Sequence, residues 1–115
     1  MNLQTYLNLL NNDPAQLEFS HTIDVIDSMY EFNPVAFRNG VIENAPGENN
    51  GSCKLFAFAQ LQGFDEQQTL SCFGAYYRDD VLNNPDGDDH QNIRNFIKTG
   101  WSGIRFTGTA LTPKQ

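Results

Sequence analysis

At one place in this chain polar, loop-forming residues give way abruptly to apolar ones. Asn49-Asn50-Gly51-Ser52 is followed by Cys53-Lys54-Leu55-Phe56-Ala57-Phe58-Ala59-Gln60-Leu61. Only Lys54 and Gln60 interrupt the apolar run, so a helix here has almost no side left for water and belongs at the centre of a fold. Ser52 is its expected N-cap, because a hydroxyl there accepts from a backbone N–H with no helical partner. Upstream, Leu3, Tyr6, Leu7 and Leu10 recur at helical spacing and predict a short amphipathic helix over residues 3–11. Asp13-Pro14 starts a brief helical turn. Phe19, Ile23, Ile26 and Tyr30 predict a second helix, capped by Ser20 and stopped by Asn33-Pro34.

From Val35 the period falls to two. Asn39-Gly40 is a type I′ hairpin signal, which sets Phe37 opposite Ile42 and Arg38 opposite Val41. Residues 44–51 form a loop. Asp65 and Gln68 have the spacing of a capping box, and Leu70, Phe73 and Tyr77 mark the buried stripe of a helix running to about Tyr77. After the polar loop from Asn83 to Asp89, residues Ile93, Phe96 and Ile97 mark a final helix closed by Thr99-Gly100. Ile104 and Phe106 alternate with Arg105 and Thr107, giving a strand at 103–107, and the tail around Pro113 is expected to fray. The pattern predicts one α+β domain spanning 1–115. Its three-stranded antiparallel sheet (35–38, 41–44, 103–107) packs with four to five helices.

Composition narrows the function classes. With 14 acidic residues against 7 basic ones, the formal charge is −7, and no basic surplus is present to displace counterions from nucleic acid. All seven basic residues lie at or beyond Arg38, so the acidic excess begins at the N-terminus. No apolar run reaches the ~18 residues of a membrane span, and no basic segment leads into a signal-peptide core. The expected location is the cytoplasm, or export by a route without a cleaved signal. The uncharged amphipathic N-terminus is compatible with such export and equally with a helix docked in a core. Cys53 and Cys72 fall inside predicted helices, the pattern of reduced cytosolic thiols.

Several short segments in order carry a resemblance. They are Tyr30-Glu31-Phe32-Asn33-Pro34, Phe37-Arg38-Asn39-Gly40 and Asn49-Asn50-Gly51-Ser52-Cys53-Lys54-Leu55-Phe56-Ala57. Downstream come Cys72-Phe73-Gly74-Ala75-Tyr76-Tyr77-Arg78, Asp80-Val81-Leu82 and His90-Gln91-Asn92-Ile93-Arg94-Asn95-Phe96, ending near Gly100-Trp101. Across nearly its whole length the chain resembles the HopJ type III effector family. The resemblance implies a bacterial protein that works through a protein partner after injection into a host cell. It supplies no reaction and no catalytic residues.

Read for chemistry, the residues offer three candidates. A thiol site would pair Cys53 or Cys72 with His90 or His21, Cys53 gaining from a helix N-terminus and from Lys54; a small buried hydrophobe is the simpler role for either cysteine. The start of the Ser52 helix is a candidate site for a small anionic ligand, with Asn49, Gly51, Ser52 and Lys54 around it and Arg78, His90 and Arg94 as further contributors. The glycine spacing of a P-loop is missing. Asp86-Gly87-Asp88-Asp89-His90 fails both calcium and zinc ligand spacing and fits helix capping better, so neither metal nor cofactor is expected. Tyr76, Tyr77 and Trp101 suit a half-exposed wall or the core, and Asn44, Asn49 and Asn92 suit turns. No catalytic constellation is complete, which favours binding over catalysis.

Overall fold

A computed structural model describes residues 1–114 of the chain. Its centre is helix α3, Asn50–Gln62, in which Leu55, Phe56, Phe58 and Ala59 are fully buried. Phe56 and Phe58 sit two positions apart on a helix of 3.6 residues per turn and so point about 200° apart. Each organises its own aromatic cluster. Phe56 meets Phe37, Phe73, Phe96 and Trp101, whereas Phe58 meets Tyr6, Tyr30 and Phe64. The helix that lacks a polar face is the partition between two halves of one core.

On the Phe58 side pack α1 (Leu3–Asn12) and α2 (Phe19–Met29). Helix α1 is docked through Tyr6 and Leu10, both buried. Helix α2 begins one residue before Ser20, and its start is closed by Glu18, whose N–H donates to His21 Nδ1 at 3.0 Å. It also ends earlier than its apolar spacing implies. Tyr30–Phe32 is strand β1, paired antiparallel with β5, Leu111–Pro113, so the tail expected to fray is held in a ladder.

On the Phe56 side lies the predicted three-stranded sheet, with β2 (Phe37–Asn39) central between β3 (Ile42–Asn44) and β4 (Ile104–Phe106). The hairpin turn lies one residue further along than expected, which moves each pairing by two residues. Asn39 faces Ile42 and Phe37 faces Asn44, so the turn residues are Gly40 and Val41. Gly40 has φ +62 and Val41 does not have positive φ, the sign pattern of a type II′ turn, which needs glycine only at its first position. The shift puts Asn39 inside, fully buried, and leaves Val41 at 87% exposure.

The capping box at Asp65 and Gln68 is present and starts α4, Glu66–Ser71. This helix stops short of Tyr77. Gly74, at φ +62, breaks it where a Cβ would lie 2.7 Å from the Phe19 nitrogen. The chain restarts as a π-helix, Tyr76–Val81, in which Leu82 N–H reaches back to Tyr77 O. The final helix, α5, spans Gln91–Thr99 and ends at Gly100 as expected.

Candidate functional site

Helices α3 and α5 start beside one another at a single pocket of about 360 Å³. Asn49, Gly51 and Ser52 contribute from the first turn of α3, and His90, Gln91 and Asn92 from that of α5. The first backbone bonds run from Cys53 N to Asn49 O and from Ile93 N to His90 O, so the amides ahead of them have no helical acceptor. Both helices are entered through the left-handed region. Asn49 has φ +51 and His90 φ +49, and no other non-glycine residue among those described has positive φ. Asn49 takes the N-cap position in place of Ser52, because α3 begins at Asn50.

Asn49 does not use its amide to cap the helix. Its Nδ2 donates to Asn44 Oδ1 at 2.7 Å, joining a set of amides beneath the pocket. Asn92 Nδ2 also donates to Asn44 Oδ1 (3.1 Å), and Asn39 Nδ2 donates to the Asn92 carbonyl oxygen (2.6 Å) and to its Oδ1 (3.0 Å). Asn39, Asn44 and Asn92 are buried. These side chains tie the hairpin to both helix starts, so Asn44 and Asn92 are cross-links and not turn residues.

The opposite wall is aromatic. Phe19 stacks on Phe73 at 6.1 Å and meets Tyr76 at 5.4 Å, and Tyr76 lies 5.2 Å from the His90 ring. The π-helix brings Tyr76 and Asp80 to the same histidine, with His90 Nε2 3.0 Å from Asp80 Oδ2. Gly51 is packed so closely on this wall that a Cβ would lie 2.8 Å from Phe19 Cζ.

The three basic candidates are engaged elsewhere. Lys54 pairs with Asp27 at 2.9 Å and lies over the Phe32 ring. Arg78 donates to Leu17 O (2.7 Å) and Glu18 Oε1 (2.6 Å). The Arg94 side chain, 8% exposed, donates to Asp89 O, Asp89 Oδ1 and Asn84 O, holding the 83–90 loop in shape. The hydrogen bond from Arg94 holds the Asp89 carboxyl below its ordinary pKa. Of the seven anion-site candidates, Asn49, Gly51, Ser52 and His90 converge on the pocket, while Lys54, Arg78 and Arg94 do not line it.

A family model described as HopJ type III effector protein matches residues 3–111. The chain belongs to this family. A solved structure that this HopJ-family chain is similar to is described as the crystal structure of unknown function protein VPA0580. The two are 53% identical with a TM-score of 0.96, over 99% of this chain and 95% of that one. No curated protein matches.

Both cysteines of this HopJ-family chain are free and buried. Cys53 is buried with its Sγ 3.9 Å from Val35 O, and burial raises its pKa. Cys72 is bonded to Tyr6 Oη (3.0 Å) and Gln68 O (3.2 Å), and burial pushes its pKa up to about 12. Neither thiol has a histidine or lysine as a hydrogen-bond partner, and a dry, protonated thiol is a poor nucleophile. Among the described residues no group of His, Cys, Asp and Glu is placed to hold a metal ion, and no helix is long and apolar enough to cross a membrane. Trp101 belongs to the core, its Nε1 donating to Phe64 O at 2.9 Å. Sequence reasoning missed Phe19 and Gln91 at the pocket, and Asp80 as the partner of its histidine. Only the aromatic run Tyr76-Tyr77 hinted at this wall, and a π-helix has no local signature to set its spacing.

Proposed function

We propose that this HopJ-family protein acts by binding, as a single domain, and that its site for a small anionic ligand is the pocket between the starts of α3 and α5. The observation that carries this reading is the convergence of two helix N-termini on one cavity, where aligned peptide dipoles favour negative charge. The non-glycine left-handed residues at both helix starts support it, since such backbone is kept where a site demands it. One continuous core, running from Tyr6 to Leu111, supports the single domain. The test is amide-resolved NMR with acetate, benzoate and inorganic phosphate. Saturable shifts at Gly51, Ser52, Gln91 and Asn92 are expected for at least one of these anions, and none for any of them would remove the site.

The family supports a second layer, in which the protein is exported through a type III apparatus and meets a host protein. A reporter fused to the first residues, including α1, is expected to leave bacteria under inducing conditions. Retention of the fusion while known substrates are exported would confine the binding role to the bacterial cytoplasm.

A further inference from the structure

We infer that the outer edge of β4 takes up an extended segment of a partner protein, one with an acidic residue between two apolar ones, and that Arg105 holds the acid. Glu43, Arg38 and Arg105 lie directly opposite one another across β3, β2 and β4, and all three are exposed. Side chains so placed have Cβ atoms about 5 Å apart, and like charges directly opposite destabilise a sheet. Arg38 has an acid on its other side, Glu43 at 3.4 Å. Arg105 has no acidic partner among the described residues, although the chain carries 14 acidic residues against 7 basic ones. The row runs Glu–Arg–Arg and stops at β4, whose far side pairs with no strand among the described residues. A further strand with a carboxylate opposite Arg105 gives each arginine an acid beside it.

The backbone at that edge is open. Gly40 N–H donates to Gly103 O and Thr107 N–H to Ala36 O, which makes Arg38 and Arg105 the hydrogen-bonded pair of the ladder. The N–H and C=O groups of Ile104 and Phe106 therefore point away from β2. Ile104 N–H is taken by Trp101 O. Ile104 O accepts from Arg105 Nη1 at 2.9 Å, so the guanidinium lies along its own strand edge. Among the described residues neither backbone group of Phe106 has a hydrogen-bond partner. An added antiparallel strand thus meets both groups of Phe106, and also Ile104 O once Arg105 turns from it to a carboxylate, the stronger acceptor. Neighbouring residues of such a strand point to opposite faces, so those flanking the acid face inward. There Phe106, stacked on Phe37, borders an apolar groove of about 220 Å³ with Ala57 and Leu61 of α3 and Ala110 and Leu111. Leu61, on the last turn of α3, is 58% exposed and is a ready contact for an aliphatic side chain.

A charge on an edge strand can also serve only to keep other strands away. The two roles of Arg105 predict opposite signs. The experiment is NMR titration of the whole chain with two end-blocked peptides, Thr-Thr-Val-Glu-Val-Thr-Thr and the same peptide with Gln for Glu. The Glu peptide is expected to shift the amides of Leu61, Arg105 and Phe106 saturably and to slow hydrogen exchange at Phe106. Gly51, Ser52 and Gln91 should not respond, so the outcome is independent of the pocket between α3 and α5. The Gln peptide should bind about tenfold more weakly, as loss of one charge-assisted hydrogen bond allows. Arg105→Gln should bind both peptides equally, at the weaker level. Leu61→Ser, an exposed position where the fold tolerates change, should weaken both peptides and keep the preference for Glu. Equal affinity of the two peptides for the unaltered chain, shifts without protection of Phe106, or binding by neither would overturn the inference. Tighter peptide binding or self-association in Arg105→Gln would also overturn it and would make Arg105 a guard of the edge.

Discussion

The Tyr6–Thr22–Cys72 cluster and the Tyr76–His90–Asp80 cluster are each built from a phenol and two polar partners, and they differ in water. In the first, Tyr6 Oη is 2.9 Å from Thr22 Oγ1 and 3.0 Å from Cys72 Sγ, Thr22 donates to Cys72 O, and all three residues are fully buried. Its polar groups satisfy one another. In the second, Tyr76 is 45% exposed, and His90, which lines an open pocket, has a hydrogen-bond partner among the described residues only at Nε2. The more nucleophilic residue type is locked in the dry cluster, and the half-wet cluster holds groups able to receive something. Access to water, more than residue type, separates architecture from candidate chemistry here.

Six substitutions and one change of condition test that separation. Phe56→Ala should destabilise the fold by about 3–5 kcal/mol, because it opens a cavity where four rings meet, whereas Tyr76→Ala should cost only about 1 kcal/mol and impair ligand binding. Urea unfolding followed by fluorescence measures both, and equal losses would erase the distinction between core and pocket aromatics. The buried thiols make stability depend on alkali. An unfolded cysteine ionises near pH ~8.5, whereas Cys72 in the fold keeps its proton to about 12. The folded state then binds more protons than the unfolded one, so stability is full at neutral pH and is lost as pH rises across this interval. The loss approaches about 1.4 kcal/mol per pH unit for one such thiol. Cys72→Ala should flatten that slope in melts taken from about pH 8 to 11.

Asn49→Ala is expected to cost about 1–2 kcal/mol in the same urea assay, since alanine resists the left-handed backbone and leaves Asn44 with one bond fewer. Asn49→Gly should cost less, because it restores the backbone while still lacking the amide. Lys54→Ala closes the series. Its ion pair with Asp27 lies at the surface, so a change of about 1 kcal/mol or less is expected, with ligand binding unaltered. Weakened anion binding in Lys54→Ala would return that lysine to the site.

What could be read from the chain depended on how local the cause was. The apolar run Leu55–Ala59 made α3 visible, and Asp65 with Gln68 made the start of α4 visible, because each signal lies within one turn. Tyr30 read as helix because its spacing from Ile26 is helical, and its N–H does bond Ile26 O, but its backbone is extended and opens the β1–β5 ladder. Asn39 read as a turn residue because Asn-Gly favours turns. The buried bonds it makes to Asn92 outweigh that preference and push the turn forward by one residue. At the site, Gly51, Ser52 and His90 were legible because helix starts are. The displacement of Lys54, Arg78 and Arg94 was not, because each is claimed by a partner distant in sequence or by loop carbonyls. Formal charge told nothing of where a guanidinium would find its acceptors.

The ladder between β1 and β5 also sets an order of events. The β2–β3 hairpin closes across a turn of two residues, whereas β1 must wait for a strand far along the chain, and the entropy of closing a loop grows with its length. The hairpin can form early in folding, while the β1–β5 contact raises the contact order and belongs among the late steps. Until it forms, two strand edges stay open, and the chain is then most exposed to wrong pairing and to any machine that keeps polypeptides unfolded.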